Sequence, residues 1–159
     1  MRKIIYFAVI VFALASCSTS KEARNIRKDI SGKWQLQTIV SEGISGKIKT
    51  VLFDEADFNC FIGSNWSFVN NNSLGSYAIA ASAGCNPVTR DFRWSVYEAK
   101  DEPKLLQFKR LDSKLKEVDA NSGGFRFTIV ELTSSQMKLK SDITFEGKPA
   151  AFVYNFVRI

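Results

Sequence analysis

The chain has 159 residues, with 22 Lys and Arg against 16 Asp and Glu, a net charge of +6, and no histidine. Without an imidazole no Ser-His or Cys-His nucleophile pair can be assembled, and the cations are spread along the chain rather than gathered into a nucleic-acid footprint. Hydrophobic residues make up 45% of the sequence, enough to build one core in a chain of this length.

At the N-terminus, Arg2 and Lys3 precede an apolar run from Ile4 to Ala13. The run is too short to span a bilayer as a helix and has the proportions of a signal peptide. The following Leu14-Ala15-Ser16-Cys17 resembles a bacterial lipobox, in which small residues lead to a cysteine that receives diacylglycerol before the preceding peptide is cut away. That resemblance implies a signal peptide at residues 1–16, Cys17 as the lipidation site, and a membrane as the partner of its lipid. The alternative is an ordinary secreted protein cut near Ala15. Stable anchoring takes more than one acyl chain, and a triacylated Cys17 meets that requirement.

Residues 17–29 read as a polar tether between the anchor and a folded domain. Ser18 stands where an enterobacterial inner-membrane retention signal carries Asp, so by analogy the destination is the periplasmic face of the outer membrane. Removal of residues 1–16 leaves 20 basic against 16 acidic residues, a net charge of +4.

With Cys17 committed to lipid, Cys60 and Cys85 remain as an even pair in an oxidising compartment. A disulfide between them closes a loop of about 25 residues and contributes around 3 kcal/mol. A zinc site has neither histidines nor suitable spacing, and the redox motif C-x-x-C is missing. No phosphate-binding or EF-hand loop is present, so no cofactor or metal is expected. The carboxylates Asp54, Glu55 and Asp57, and Asp101 with Glu102, read as solvated charge in loops, although glycosidase chemistry needs only two such groups.

From residue 30 onward, short runs with period-two alternation are separated by turn residues. They fall at 33–40, 65–70, 75–81, 91–99, 104–111, 124–132, 136–144 and 150–158. No amphipathic helical run lies between them, which predicts an all-β domain. Most connections suit antiparallel hairpins, and an eight-stranded antiparallel up-and-down barrel is the closed solution that leaves no exposed edge. Lys138, Lys140 and Asp142 share one strand face while Met137, Leu139 and Ile143 share the other. That pattern suits a barrel with a polar outside and an apolar inside, not one immersed in lipid.

The run "SGKWQL" resembles the G-x-W motif that opens the first strand of lipocalins, with Gly32 and Trp34 in the matching positions. In that family the Trp closes the narrow end of the barrel beneath an Arg from near the last strand, a role that falls to Arg158. The stretch from Asp57 to Tyr77 and "SDITFEGKPAAFVYNF" resemble bacterial lipocalin-like lipoproteins. The resemblance implies a lipocalin-like barrel over residues 30–159.

Strand parity sends many aromatics inward. Eight strands enclose a space that is either filled by side chains or holds one small ligand. Phe68, Tyr77, Trp94, Phe108 and Phe127 are the candidate ligand-binding residues. The connection 41–64 is long enough to be functional, and its Val51, Leu52 and Phe53 are too apolar for a solvated loop. It is either a lid over the mouth or a loop packed on the barrel. Two functions follow: non-catalytic binding of a small apolar or amphiphilic ligand, or, with a filled barrel, a protein-interaction module serving a partner in the cell envelope. The discriminator is whether a cavity of a few hundred cubic ångströms opens past residues 41–64.

Overall fold

The computed structural model describes residues 20–44, 49–98, 102–118 and 123–159. The signal peptide and Cys17 lie outside that range. The elements in chain order are α1 (Lys21–Ile30), β1 (Gly32–Glu42), β2 (Val51–Leu52), β3 (Ala56–Asp57), α2 (Phe58–Phe61), β4 (Asn65–Phe68), β5 (Leu74–Ile79), β6 (Val88–Tyr97), β7 (Leu105–Arg110), β8 (Phe125–Leu132), β9 (Gln136–Phe145) and β10 (Lys148–Arg158).

The eight longer strands close into the antiparallel barrel that the alternation predicts, in the order β1-β10-β9-β8-β7-β6-β5-β4. β1 seals it, pairing Trp34 with Arg158 of β10 on one side and with Trp66 of β4 on the other. The pairing with β4 covers only Gly32–Gln35, and a register shift between Leu36 and Thr38 bends β1 as it leaves that neighbour. Strands β2 and β3 form a separate two-stranded hairpin.

The segment expected to be a polar tether is instead helical from Lys21. Ser20 caps α1, its hydroxyl accepting from the Ala23 amide at 2.9 Å. Glu22 lies in the first turn, and Arg27 and Lys28 in the last, which complements the helix dipole. Ala23 and Ile30 are buried, with Ile26 packed beside the core. Those three apolar positions, spaced as one helical stripe, are the signal that the polar composition masked.

Helix α1 closes one end of the barrel. Arg27 stacks on Trp94, 4.6 Å from its ring centre. The same guanidinium donates to the Asn70 carbonyl and the Ser73 hydroxyl, both at 3.0 Å. Beside it, Trp34 Nε1 donates to the Ile30 carbonyl at 2.7 Å. Arg158 lies over the Trp34 ring at 4.2 Å and donates to the carbonyls of Ser134, Ser31 and Asp29. Gly32, at φ +129°, lies directly against that guanidinium, and a side chain there would collide with it.

Aromatics fill the middle of the barrel. Trp66 contacts Phe68, Tyr77, Phe92, Phe108 and Phe156 with ring centres 4.8 to 6.3 Å apart, in mostly tilted or edge-on arrangements that ring quadrupoles favour. The void left among them measures about 10 Å³, too small for any organic ligand.

Candidate functional site

The open end lies opposite α1. There the chain between β1 and β4 folds back as the hairpin β2–β3, followed by the single turn α2. Asp57 caps that turn, accepting from the Asn59 amide at 3.0 Å. The hairpin register pairs Val51 with Asp57 and Leu52 with Ala56. Its turn is closed by the Glu55 amide donating to the Leu52 carbonyl at 3.0 Å. The two central residues, Phe53 and Asp54, have φ of +54° and +50°, as in a type I′ turn.

This turn points Phe53 into the barrel, where it is 6% exposed. Its ring meets those of Phe61, Trp66, Phe108, Phe125 and Phe127 edge-on and lies nearly parallel to that of Tyr154, at 5.1 to 6.1 Å between centres. Of the two expectations for residues 41–64, the described part combines both: the hairpin covers part of the mouth, and one of its side chains packs in the interior.

Next to Phe53, the Glu55 carboxylate reaches three barrel strands. It accepts two bonds from Arg90 of β6, both 2.7 Å, and one from the Tyr77 hydroxyl of β5 at 2.8 Å. Arg110 of β7 lies 3.8 Å away and donates to the Asp54 carbonyl at 3.1 Å. The Arg90 hydrogen bonds, outweighing partial burial, hold the Glu55 carboxyl below its ordinary value. Burial and the adjacent carboxylate push the Tyr77 phenol above its own. The solvated-charge reading thus fails for Glu55, whose side chain is 10% exposed. It holds for Asp54, whose side chain is 78% exposed. Sequence alone gave no sign that Arg90 and Arg110 would converge on Glu55.

Between the hairpin and strands β8, β9 and β10 a cleft of about 650 Å³ opens. Its apolar wall includes Phe53, Phe125, Phe127, Ile143, Phe152 and Tyr154, and Thr50, Asp54, Arg126, Ser141 and Asp142 supply polar groups. The Tyr154 hydroxyl lies 3.3 Å from that of Ser141, and burial pushes its pKa up to about 12.

The five candidate ligand residues do not assemble into one pocket. Phe127 lines the cleft. Phe68, Phe108 and Phe127 border the small inner void. Tyr77 is engaged with Glu55. Trp94 lies at the closed end, its Nε1 donating to the Leu74 carbonyl at 3.0 Å. The remaining apolar wall comes from Val51, Leu52 and Phe53 of the hairpin segment and from Phe125, Ile143, Phe152 and Tyr154. Those last four belong to strand faces whose apolar parity was legible in sequence.

Cys60 of α2 and Cys85 in the β5–β6 connection form a disulfide, fastening the segment after the hairpin to the rim. Among the described residues there is no cluster of three metal-ligating side chains, and no helix is long and apolar enough to cross a membrane.

The family model described as a lipocalin-like domain matches residues 30–139, and the chain belongs to that family. A second, for the prokaryotic membrane lipoprotein lipid attachment site, matches residues 1–18 and includes Cys17; the protein is a membrane-anchored lipoprotein. No curated protein sequence shows significant similarity. Among solved structures, a lipocalin-like protein from Bacteroides uniformis is 17% identical, with a TM-score of 0.45, over 82% of this chain and 99% of its own. Bovine odorant-binding protein in complex with a selenium-containing odorant is 14% identical, with a TM-score of 0.42, over 89% of this chain and 78% of its own. The odorant-binding protein from bovine nasal mucosa is 12% identical, with a TM-score of 0.39, over 89% and 76%.

Proposed function

We propose that this lipoprotein holds a small amphiphilic molecule in the cleft at the barrel mouth, without chemically changing it, on the periplasmic face of the outer membrane. The cleft carries this reading. Its volume of about 650 Å³ falls within the range of small-molecule sites. The aromatic and Ile143 wall suits an apolar body, while Thr50, Arg126, Ser141 and Asp142 suit a polar head. The reading places the ligand at the mouth rather than deep in the barrel, because the interior is filled. Lys21 begins α1 four positions after Cys17, a span of at most about 14 Å. On this reading an anchor at Cys17 attaches on the side of the closed end, away from the mouth.

The test is uptake of a fluorescent sixteen-carbon acyl probe by the mature protein in detergent. Binding is expected, and Ile143→Asp, which sets a carboxylate against the apolar wall, should weaken it tenfold or more. Absence of uptake, together with a clean apo mass for protein from its own host, would overturn the proposal. The filled interior favours a second reading, in which the loops around the mouth dock an envelope protein. That reading gains if the acyl probe is refused and a partner co-purifies through the mouth loops.

A further inference from the structure

We propose that Phe53 is the protein's own occupant of a ring-binding site inside the barrel, which a ligand bearing a compact aromatic ring enters by displacing it. This deepens the cleft-binding reading and rests on it.

Four observations converge. Phe53 belongs to no barrel strand, yet its ring is surrounded by six aromatic rings of the interior. Five of those contacts are edge-on, with interplanar angles of 69° to 84°. Another flat ring would satisfy that surround, whereas an unbranched chain would leave most of the edges without partners.

The backbone that delivers the ring is held in a conformation its residues disfavour. Both central turn residues have positive φ, positions that Asn and Gly normally occupy, and a bulky side chain there is an outlier. The ring's contacts inside the barrel offset that strain. The hairpin itself has two residue pairs, too few to be stable unaided.

Its polar attachments run to one side. Tyr77, Arg90 and Arg110 of β5, β6 and β7 grip Glu55 and Asp54, while toward β8 and β10 the contacts are between rings, of Phe53 with Phe125, Phe127 and Tyr154 and of Phe58 with Phe152. A hairpin with its polar bonds along one side and ring contacts on the other can swing when a ligand's ring takes over the contacts that Phe53 makes.

Finally, Phe53, Phe127 and Tyr154 border both the cleft and the inner void. Phe53 is thus part of the wall between them, and its withdrawal joins the two into one deeper pocket. An apolar cavity of about 150 Å³ stays dry and accepts benzene-sized rings, so the space a phenyl group vacates is of the right order for one ring.

The experiment compares indole binding to the wild-type lipoprotein, Phe53→Gly and Glu55→Gln by calorimetry, with the acyl probe measured in parallel. Glycine suits the positive φ at residue 53 and removes the ring, so Phe53→Gly should keep the turn and bind indole at least tenfold more tightly than wild type. Glu55→Gln keeps the ring but weakens its latch, and should gain about threefold. In wild type carrying 4-fluorophenylalanine at position 53, saturating indole should move the fluorine resonance toward its solvent-exposed value. If Phe53→Gly does not fold, as judged by near-ultraviolet circular dichroism, the latch variant and the fluorine shift decide. Acyl uptake by wild type, with no indole gain in any folded variant and an unmoved fluorine signal, would overturn this inference and leave the cleft reading standing. Refusal of both probes by every protein would overturn both.

Discussion

Glu55 and Arg90 meet in a two-point contact, Nε to Oε2 and Nη2 to Oε1, both 2.7 Å, that joins the β2–β3 turn to strand β6. The residues are 35 positions apart, so the pair fixes where the turn lies on the barrel. Charge-assisted hydrogen bonds of this fork geometry are the stronger kind. Glu55→Gln should lower stability by about 2 kcal/mol, since it removes the charge and leaves Arg90 and Tyr77 poorly matched. Urea unfolding measures the loss. Amide exchange at Glu55 and Phe58, whose N–H groups close the hairpin, should quicken more than exchange in β9 and β10. A uniform change across the barrel would mean that Glu55 is not a local latch.

The same carboxylate sets an acid response. Its folded pKa lies below the ordinary value, chiefly through Arg90, so the ionised form is favoured in the folded state. The resulting stabilisation is fully present above the unfolded carboxylate range of about 4. It is lost as pH falls through the depressed folded value. Once pH falls through that depressed value the hairpin should loosen, and indole or acyl uptake should change with it. Comparing the unfolding midpoints of wild type and Glu55→Gln from pH 7 downward isolates this contribution: the gap between them should narrow in acid. A gap independent of pH would assign the effect of Glu55 to shape instead of charge.

Arg158 does for the closed end what Glu55 does for the mouth. Its guanidinium covers Trp34 at 4.2 Å and donates to three carbonyls, on the α1 side at Asp29 and Ser31 and on the β8–β9 turn at Ser134. Planarity and multiple donors make this an arginine site that lysine cannot fill. Arg158→Lys should cost about 2 kcal/mol in unfolding free energy, close to the cost of Arg158→Ala. Full recovery by lysine would mean that only the positive charge matters there.

The barrel was legible because alternation with period two is a local signal, and closure follows from eight such strands without helices between them. The disulfide was legible from parity and compartment. Helix α1 was hidden because only Ala23, Ile26 and Ile30 mark its buried face amid charged residues. The mouth was hidden for a different reason. Nothing in "KTVLFDEADF" says that a phenylalanine will adopt positive φ, because tertiary contacts with six distant rings decide it. Likewise Glu55 looks like its neighbours Asp54 and Asp57 until Arg90 and Arg110 arrive from other strands. The candidate ligand residues were chosen by strand parity, which reports which side of the sheet a residue faces but not its depth along the barrel axis. Tyr77 and Trp94 show the limit: both face inward, yet one serves the latch at the rim and the other supports α1 at the far end.

The Cys60–Cys85 disulfide bears on the mouth more than on the barrel. Cys60 lies on α2, directly after the hairpin, and Cys85 lies in the β5–β6 connection, so the bond joins two rim segments separated by 25 residues. Opening a loop of that size should cost about 3 kcal/mol through the entropy returned to the unfolded chain. The eight strands keep their ladder without it, so the Cys60→Ser/Cys85→Ser double variant should fold to the same barrel with a lower thermal midpoint. In the folded state the loss should concentrate at the rim, with faster amide exchange across residues 50–64 and little change in β8–β10. It should also ease indole entry, because the hairpin then depends on Glu55 alone for its attachment to β5 and β6. Combining the double variant with Glu55→Gln tests that dependence. The effect of the combined variant on hairpin exchange should exceed the sum of the two separate effects, since either attachment can hold the segment while the other is absent. Strict additivity would show that the disulfide and the carboxylate restrain different parts of the mouth.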